Sequence, residues 1–198
     1  MQPSKLRAGF VFLSFLLISA SAFAADTYKI DPNHTSVNFT VTHLMINQVH
    51  GNFTDFDGVI TYDEKDPSKC SVEVHIKAAS VDTRNTMRDN DIRSEHFFDV
   101  AKFPDITFKS TSVEKKGDGY ILHGPMTLHG VTRNVAIPFT IGGTAKDPGG
   151  NIRLSAEGSF TIDRRDFGVT RNTTLEGGGL LISNDVKIEL GIEAVKQP

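Results

Sequence analysis

The stretch DVKIELGIE, residues 185–193, sets Val186, Ile188, Leu190 and Ile192 on one side of an extended chain and Asp185, Lys187, Glu189 and Glu193 on the other. Successive side chains of a strand point to opposite faces, so this alternation describes a strand with one face buried and one in water. The pattern recurs through the chain. Val37, Phe39 and Val41 share a parity, as do Val72, Val74, Ile76 and Ala78; Ile106 and Phe108; Tyr120 and Leu122; Val135, Ile137, Phe139 and Ile141; and Ile152, Leu154, Ala156, Phe160 and Ile162. With Tyr28–Asp31 and Phe53–Tyr62 the count reaches about eight strands. Lys115-Lys116-Gly117-Asp118-Gly119 and Asp147-Pro148-Gly149-Gly150-Asn151 are hairpin turns by composition, so neighbouring strands run antiparallel as a meander. One segment, Asp82 to Ser94, lacks alternation and reads as a short helix capped by Asp82 or Thr83, followed by a loop from His96 to Pro104.

Eight strands, each apolar on one face, close either as a sandwich or as a barrel. Residues 133–145 and 181–194 are long for strands and favour a tall barrel. At a tilt near 40°, thirteen residues make a tube roughly 33 Å high, just wide enough at eight strands to be filled by side chains or to hold one slender ligand. The fold class expected is all-β, an eight-stranded antiparallel extended barrel with a short helical excursion. Pro138 inside a strand removes a ladder donor and predicts a seam or bulge there; Gly177-Gly178-Gly179 predicts an unusual backbone before the last strand.

Of 198 residues, 21 are Lys or Arg and 24 Asp or Glu, a net charge of −3 that argues against a nucleic-acid partner. The lone cysteine, Cys70, excludes an intrachain disulfide framework and a multi-thiolate zinc site. It reads as a small buried hydrophobe, with intermolecular pairing, and hence a homodimer, left open. Lys5 and Arg7 precede an apolar run from Phe10 to Ile18 and then Ala22-Phe23-Ala24. That is the pattern of a cleaved secretory signal peptide over residues 1–24, an uncleaved anchor being the alternative. The run is too short to span a bilayer, and no second long apolar run follows, so the exported chain is expected to make no stable membrane insertion.

Four longer runs are specific when taken together: SVNFTVTHLMINQVHGNFTDFDGVITY from Ser36, RDNDIRSEHFFDVAKFPDITFKS from Arg88, TLHGVTRNV from Thr127 and RRDFGV from Arg164. In this order, over nearly the whole chain after residue 24, they resemble the YceI-like family of periplasmic polyisoprenoid-binding proteins. The chain departs from the family pattern at Asp91-Ile92 and at Met45-Ile46. The resemblance implies a single lipocalin-like barrel over residues 25–198 in the periplasm, a carrier of an isoprenoid or similar amphiphile rather than an enzyme, with no cofactor beyond the bound lipid.

By parity, Phe39, Val41, Val74, Ile76, Phe108, Leu122, Phe139, Leu154, Phe160, Ile188 and Leu190 point inward, and with the loop aromatics Phe97, Phe98 and Phe103 they form the expected tunnel lining. Alternation alone does not distinguish a hollow barrel from a filled one, and the resemblance favours the hollow one. Head-group candidates are His43, Arg84, Arg88 and Arg93, since arginine forks match phosphate oxygens. The arginines are interleaved with acids, so local ion pairing competes with that role; Arg164, Arg165 and Arg171 carry the same ambiguity. Seven histidines fall in no zinc spacing, and no Gly-x-Ser-x-Gly elbow is present. An enzyme working at the mouth through His43 or the arginines, and a filled barrel binding a protein on its outer face, stand as alternatives.

Overall fold

The computed structural model describes residues 25–198; the signal peptide expected over residues 1–24 lies outside them. In chain order the elements are β1 (Asp26–Ile30), β2 (Ser36–His43), β3 (Asn47–Phe53), β4 (Phe56–Tyr62), β5 (Ser71–Lys77), β6 (Val81–Asp82), α1 (Thr86–Arg93), β7 (Asp105–Lys109), β8 (Ser112–Lys116), β9 (Gly119–Leu128), β10 (Val131–Lys146), β11 (Ile152–Asp163) and β12 (Asp185–Lys196).

Eight of these strands close an antiparallel ring in the order β1-β4-β5-β7-β9-β10-β11-β12, with β12 returning to β1. This is the expected barrel, and closure leaves no exposed edge around the ring. The meander has one interruption. After β1, the chain continues as the β2–β3 hairpin, which pairs with the first half of β12 while β1 pairs with its second half. The hairpin therefore lengthens the wall, and β6 and α1 close the gap beyond it.

β3 carries no legible alternation in sequence because Gly51 stands between its two inward apolar residues, Val49 and Phe53. The glycine is required there: a Cβ at Gly51 would lie 2.3 Å from Cζ of Phe39 on the paired strand. The helix begins later than the sequence suggests. Asp82 is spent on a bridge to Asn52, Arg84 sits at φ +60°, and the cap is Asn85, whose side chain accepts from the Arg88 amide. Pro138 lies where β10 changes partner: residues 131–139 pair with β9 and 139–146 with β11. The proline therefore falls at the end of a ladder, with a register shift between Ile141 and Gly143 just beyond. Cys70 is half-buried ahead of β5, its thiol against the backbone of Asp63, and burial raises the thiol above its ordinary value.

The two ends of the barrel differ in what they carry. At one end lie the hairpin tip 44–46, α1, the β9–β10 turn and the segment 164–184; at the other lie both described termini and the β8–β9 and β10–β11 turns.

Candidate functional site

The inward faces of the strands enclose a cavity of about 420 Å³ lined almost wholly by apolar atoms. Its size falls within the range of small-molecule pockets. The interior is hollow and not packed solid, which removes the filled-barrel alternative. The accessibility of the middle strands shows the same thing. Val74, Ile76, Phe160 and Ile188 all point inward and border the cavity, yet each is only half-buried, as side chains that face a void are.

Every expected lining residue on a strand borders this cavity: Phe39, Val41, Val74, Ile76, Phe108, Leu122, Phe139, Leu154, Phe160, Ile188 and Leu190. Two of the three loop aromatics join them. Phe97 and Phe98 follow α1, and Phe98 stacks on Phe53 with ring centroids 6.1 Å apart. Phe103 is a correction. Its ring lies over Gly130 and edge-on to His129, 4.8 Å between centroids, and so braces the β9–β10 turn from outside the cavity.

The head-group candidates divide in the same way. His43 ends β2 with the parity of Phe39 and Val41 and borders the cavity, as does Arg88 on the first turns of α1. Arg88 is positioned by Thr83: its Nε donates to Thr83 Oγ1 at 2.7 Å and its Nη2 to Thr83 O at 2.8 Å. Thr83 in turn donates from its amide and hydroxyl to the buried Asp89 carboxylate, at 2.9 and 2.5 Å. Exposed Asp91 also borders the cavity, so the void meets solvent at the α1 end. Arg84 and Arg93 do not border it. Arg84 is exposed on its positive-φ corner, and Arg93 is consumed in holding the excursion to the wall, donating to the carbonyls of Ala79 and Val81.

Of the three arginines with the same ambiguity, Arg164, Arg165 and Arg171, the cavity is bordered by Arg164. Arg164 stands two residues beyond Ile162 on β11 and keeps its inward parity, so the alternation that places Leu154, Ala156, Phe160 and Ile162 inside places Arg164 inside as well. It is 5% exposed. Its Nε donates to Ser183 O at 3.0 Å, and its Nη1 donates to Val169 O at 2.6 Å and Arg171 O at 2.9 Å. Nη2 is buried and, among the described residues, meets no acceptor. Among the described residues Arg164 has no ion-pair partner; the neighbouring Asp163 is engaged by Arg165.

Among the described residues, the one cluster with metal-ligating composition is Asp31, His34 and Glu193. A cation is already present there, because Arg153 Nη1 donates to Asp31 at 2.8 Å and to Glu193 at 2.6 Å.

A YceI-like domain model matches residues 28–194, nearly all of the described chain. The chain belongs to the YceI-like family. Protein YceI of Salmonella agona (strain SL483) is 42% identical over 191 residues, 96% of each chain, and Protein YceI of Salmonella newport (strain SL254) is equally similar. Among solved structures, the Campylobacter jejuni YCEI protein is 32% identical with a TM-score of 0.68, covering 79% of this chain and 90% of its own. Burkholderia cenocepacia BcnA, at 21% identity, shares the fold with a TM-score of 0.73 over 83% of this chain and 98% of its own. A structure described as a polyisoprenoid binding domain from Saccharophagus degradans does so at 16% identity and 0.64, over 88% of this chain and all of its own.

Proposed function

We propose that this YceI-like chain holds a long-chain isoprenoid amphiphile, a polyprenyl phosphate or an isoprenoid quinone, in its barrel, and sequesters or carries it in the periplasm after export through a cleaved signal peptide. The observation that carries this reading is the hollow interior: an apolar cavity of about 420 Å³ bordered by half-buried inward side chains that no protein group completes. Each methylene moved from water into such a space contributes about 0.8 kcal/mol, offset in part by ordering of the chain. The polyisoprenoid-binding description of the Saccharophagus degradans domain, which shares the fold, supports the same ligand class. The role is binding and not catalysis, and needs no resident cofactor. Among the described residues no helix is long and apolar enough to cross a membrane, which suits a carrier that meets the bilayer only in passing.

Native mass spectrometry and lipid extraction of protein purified from its own host test the reading. An amphiphile recovered at near-stoichiometric level is expected, and protein that is repeatedly empty overturns it. Ala156→Trp supplies a second arm. Ala156 is a small inward residue bordering the cavity, so the indole occupies the void and should weaken chain uptake at least about ten-fold, or about 1.4 kcal/mol, in a chain that still folds.

A further inference from the structure

We infer that Arg164 is the head-group anchor of the cavity and that it selects amphiphiles with an anionic oxygen, phosphate or carboxylate, over uncharged ones. The inference rests on the reading of the barrel as a lipid carrier and adds the chemistry of the head.

Three features of Arg164 converge. The residue borders a largely apolar cavity, at the end where Arg88 and Asp91 bring that cavity to solvent. Its guanidinium is oriented by three backbone carbonyls, those of Ser183, Val169 and Arg171, which compensate N–H donors but supply no negative charge. Nη2, buried, has no acceptor among the described residues. A buried donor left unmatched is costly, and a buried charge without a counter-ion more so. An acidic partner would have been the simple remedy, yet Asp163 beside it turns to Arg165, with Nε–Oδ1 at 3.0 Å. Nη2 has almost no accessible surface, so an anionic oxygen arriving along the cavity reaches it by displacing the side chains that cover it, and then supplies both the missing acceptor and the missing charge, in a low-dielectric setting where a charge-assisted hydrogen bond is strong.

Burial pushes the guanidinium below its ordinary value, while Asp163 nearby opposes that shift. Arginine begins so high that it stays cationic throughout the neutral range. A neutral quinone carbonyl would satisfy the donor and leave the charge unmatched, so the quinone is the weaker occupant.

The contributions of Arg164 and Arg88 can be separated. Arg88 is exposed and held by Thr83 at the rim, so it meets a head group in water, where an ion pair is worth little. Arg164 meets it dry.

The test uses three probes with one chain: geranylgeranyl phosphate, geranylgeranoic acid and geranylgeraniol, titrated into delipidated protein. Wild type should bind the phosphate or the acid at least about ten-fold more tightly than the alcohol, equivalent to about 1.4 kcal/mol. Whichever anion is favoured identifies phosphate or carboxylate as the head. Arg164→Gln should abolish that preference while holding the alcohol within about three-fold of wild type, and Arg88→Gln should retain it. Equal binding of all three probes by wild type, or a preference that survives Arg164→Gln and vanishes in Arg88→Gln, overturns the inference and leaves the lipid reading standing. Failure of all three to bind overturns both. Should Arg164→Gln fail to fold, arginine-selective ¹⁵N labelling of wild type decides: the Arg164 Nη resonances should shift with an anionic probe and stay put with the alcohol, and a shift equal for all three overturns the inference.

Discussion

An arginine lies near each end of β11, Arg153 within the strand and Arg164 one residue past it, and the two are built for different work. Arg153, near its start, has outward parity and is surrounded by carboxylates: Asp31, Asp147 and Glu193 all accept from it at 2.6 to 2.9 Å. Arg164, at its other end, has inward parity, is buried, and is held only by carbonyls with one amino group unmatched. The first is satisfied by the protein and locks β1, β11, β12 and the β10–β11 turn together. The second is left incomplete at the end where the cavity opens. The backbone follows the same division. The non-glycine residues at positive φ are Leu44, Met45, Arg84, Asp99 and His129, all at the α1 end, while the turns at the Arg153 end use Gly117 and Gly150 for such angles. Strain and unmatched polarity gather where a site would use them.

The largest expected effect contrasts a packed position with a hollow one on the same strand. Leu154 adjoins Arg153 and is 1% exposed against Tyr28, Ile30 and Ala194. Leu154→Ala should cost about 3 kcal/mol in denaturant unfolding, from lost transfer energy plus the cavity left behind. Phe160 is the bulkier side chain but already faces the void, so Phe160→Ala should cost less, about 1.5 kcal/mol. A larger loss at Phe160 would mean that the middle of the barrel is as well packed as its end.

Next comes the acid limb of stability. The Asn151 side chain, and after it Arg153, hold the Asp147 carboxyl down at about 2, and the Arg153 guanidinium holds Asp31 well below its usual range, with His34 adding to it. A depressed carboxyl contributes stability that is fully present above the unfolded value near 4 and is lost as pH falls through the folded value. Wild type should therefore lose stability between pH about 4 and pH about 2, and Arg153→Gln should flatten that limb as well as lower stability at neutral pH. Ligand preference should be untouched by this variant. An Arg153→Gln protein whose acid limb is as steep as that of wild type would show that the clamp is not what couples pH to folding.

What was readable in the sequence follows from the same physics. Period two identifies the long strands β10, β11 and β12 and all eleven strand-borne lining residues, because burial of one face imposes it. It is silent at β3, where Gly51 interrupts the inward row to admit the ring of Phe39. Arginine in a helix-like, acid-rich segment suggests a head-group site, but Arg93 spends its donors on the carbonyls of Ala79 and Val81, a tertiary use that composition does not reveal. Phe103 belongs to the same class, since only the fold brings it to His129. Arg164 was within reach: the inward row of β11 runs straight into it. Charge near an RRD triplet suggests local ion pairing, and that is true of Arg165 and false of its neighbour.

The smallest effect concerns the strain itself. Met45 sits at φ +62° on the hairpin tip, is 57% exposed, and lies beside the turn at Gly179, where a Cβ would come within 3.3 Å of its Cγ. A left-handed backbone costs a side-chain-bearing residue about 1 kcal/mol or more, whereas glycine adopts it freely but gives up more entropy on folding. Met45→Gly should therefore raise stability by about 0.5 kcal/mol, since little packing is lost with an exposed side chain. At the opposite end Gly150, at φ +90°, already has the residue its angle demands, and Gly150→Ala should lower stability by about 1 kcal/mol. The pair of unfolding midpoints checks the contrast: opposite signs are expected, and a loss in both would mean that the methionine side chain, through its contact with the 177–179 turn, holds the tip more strongly than its backbone angle opposes it.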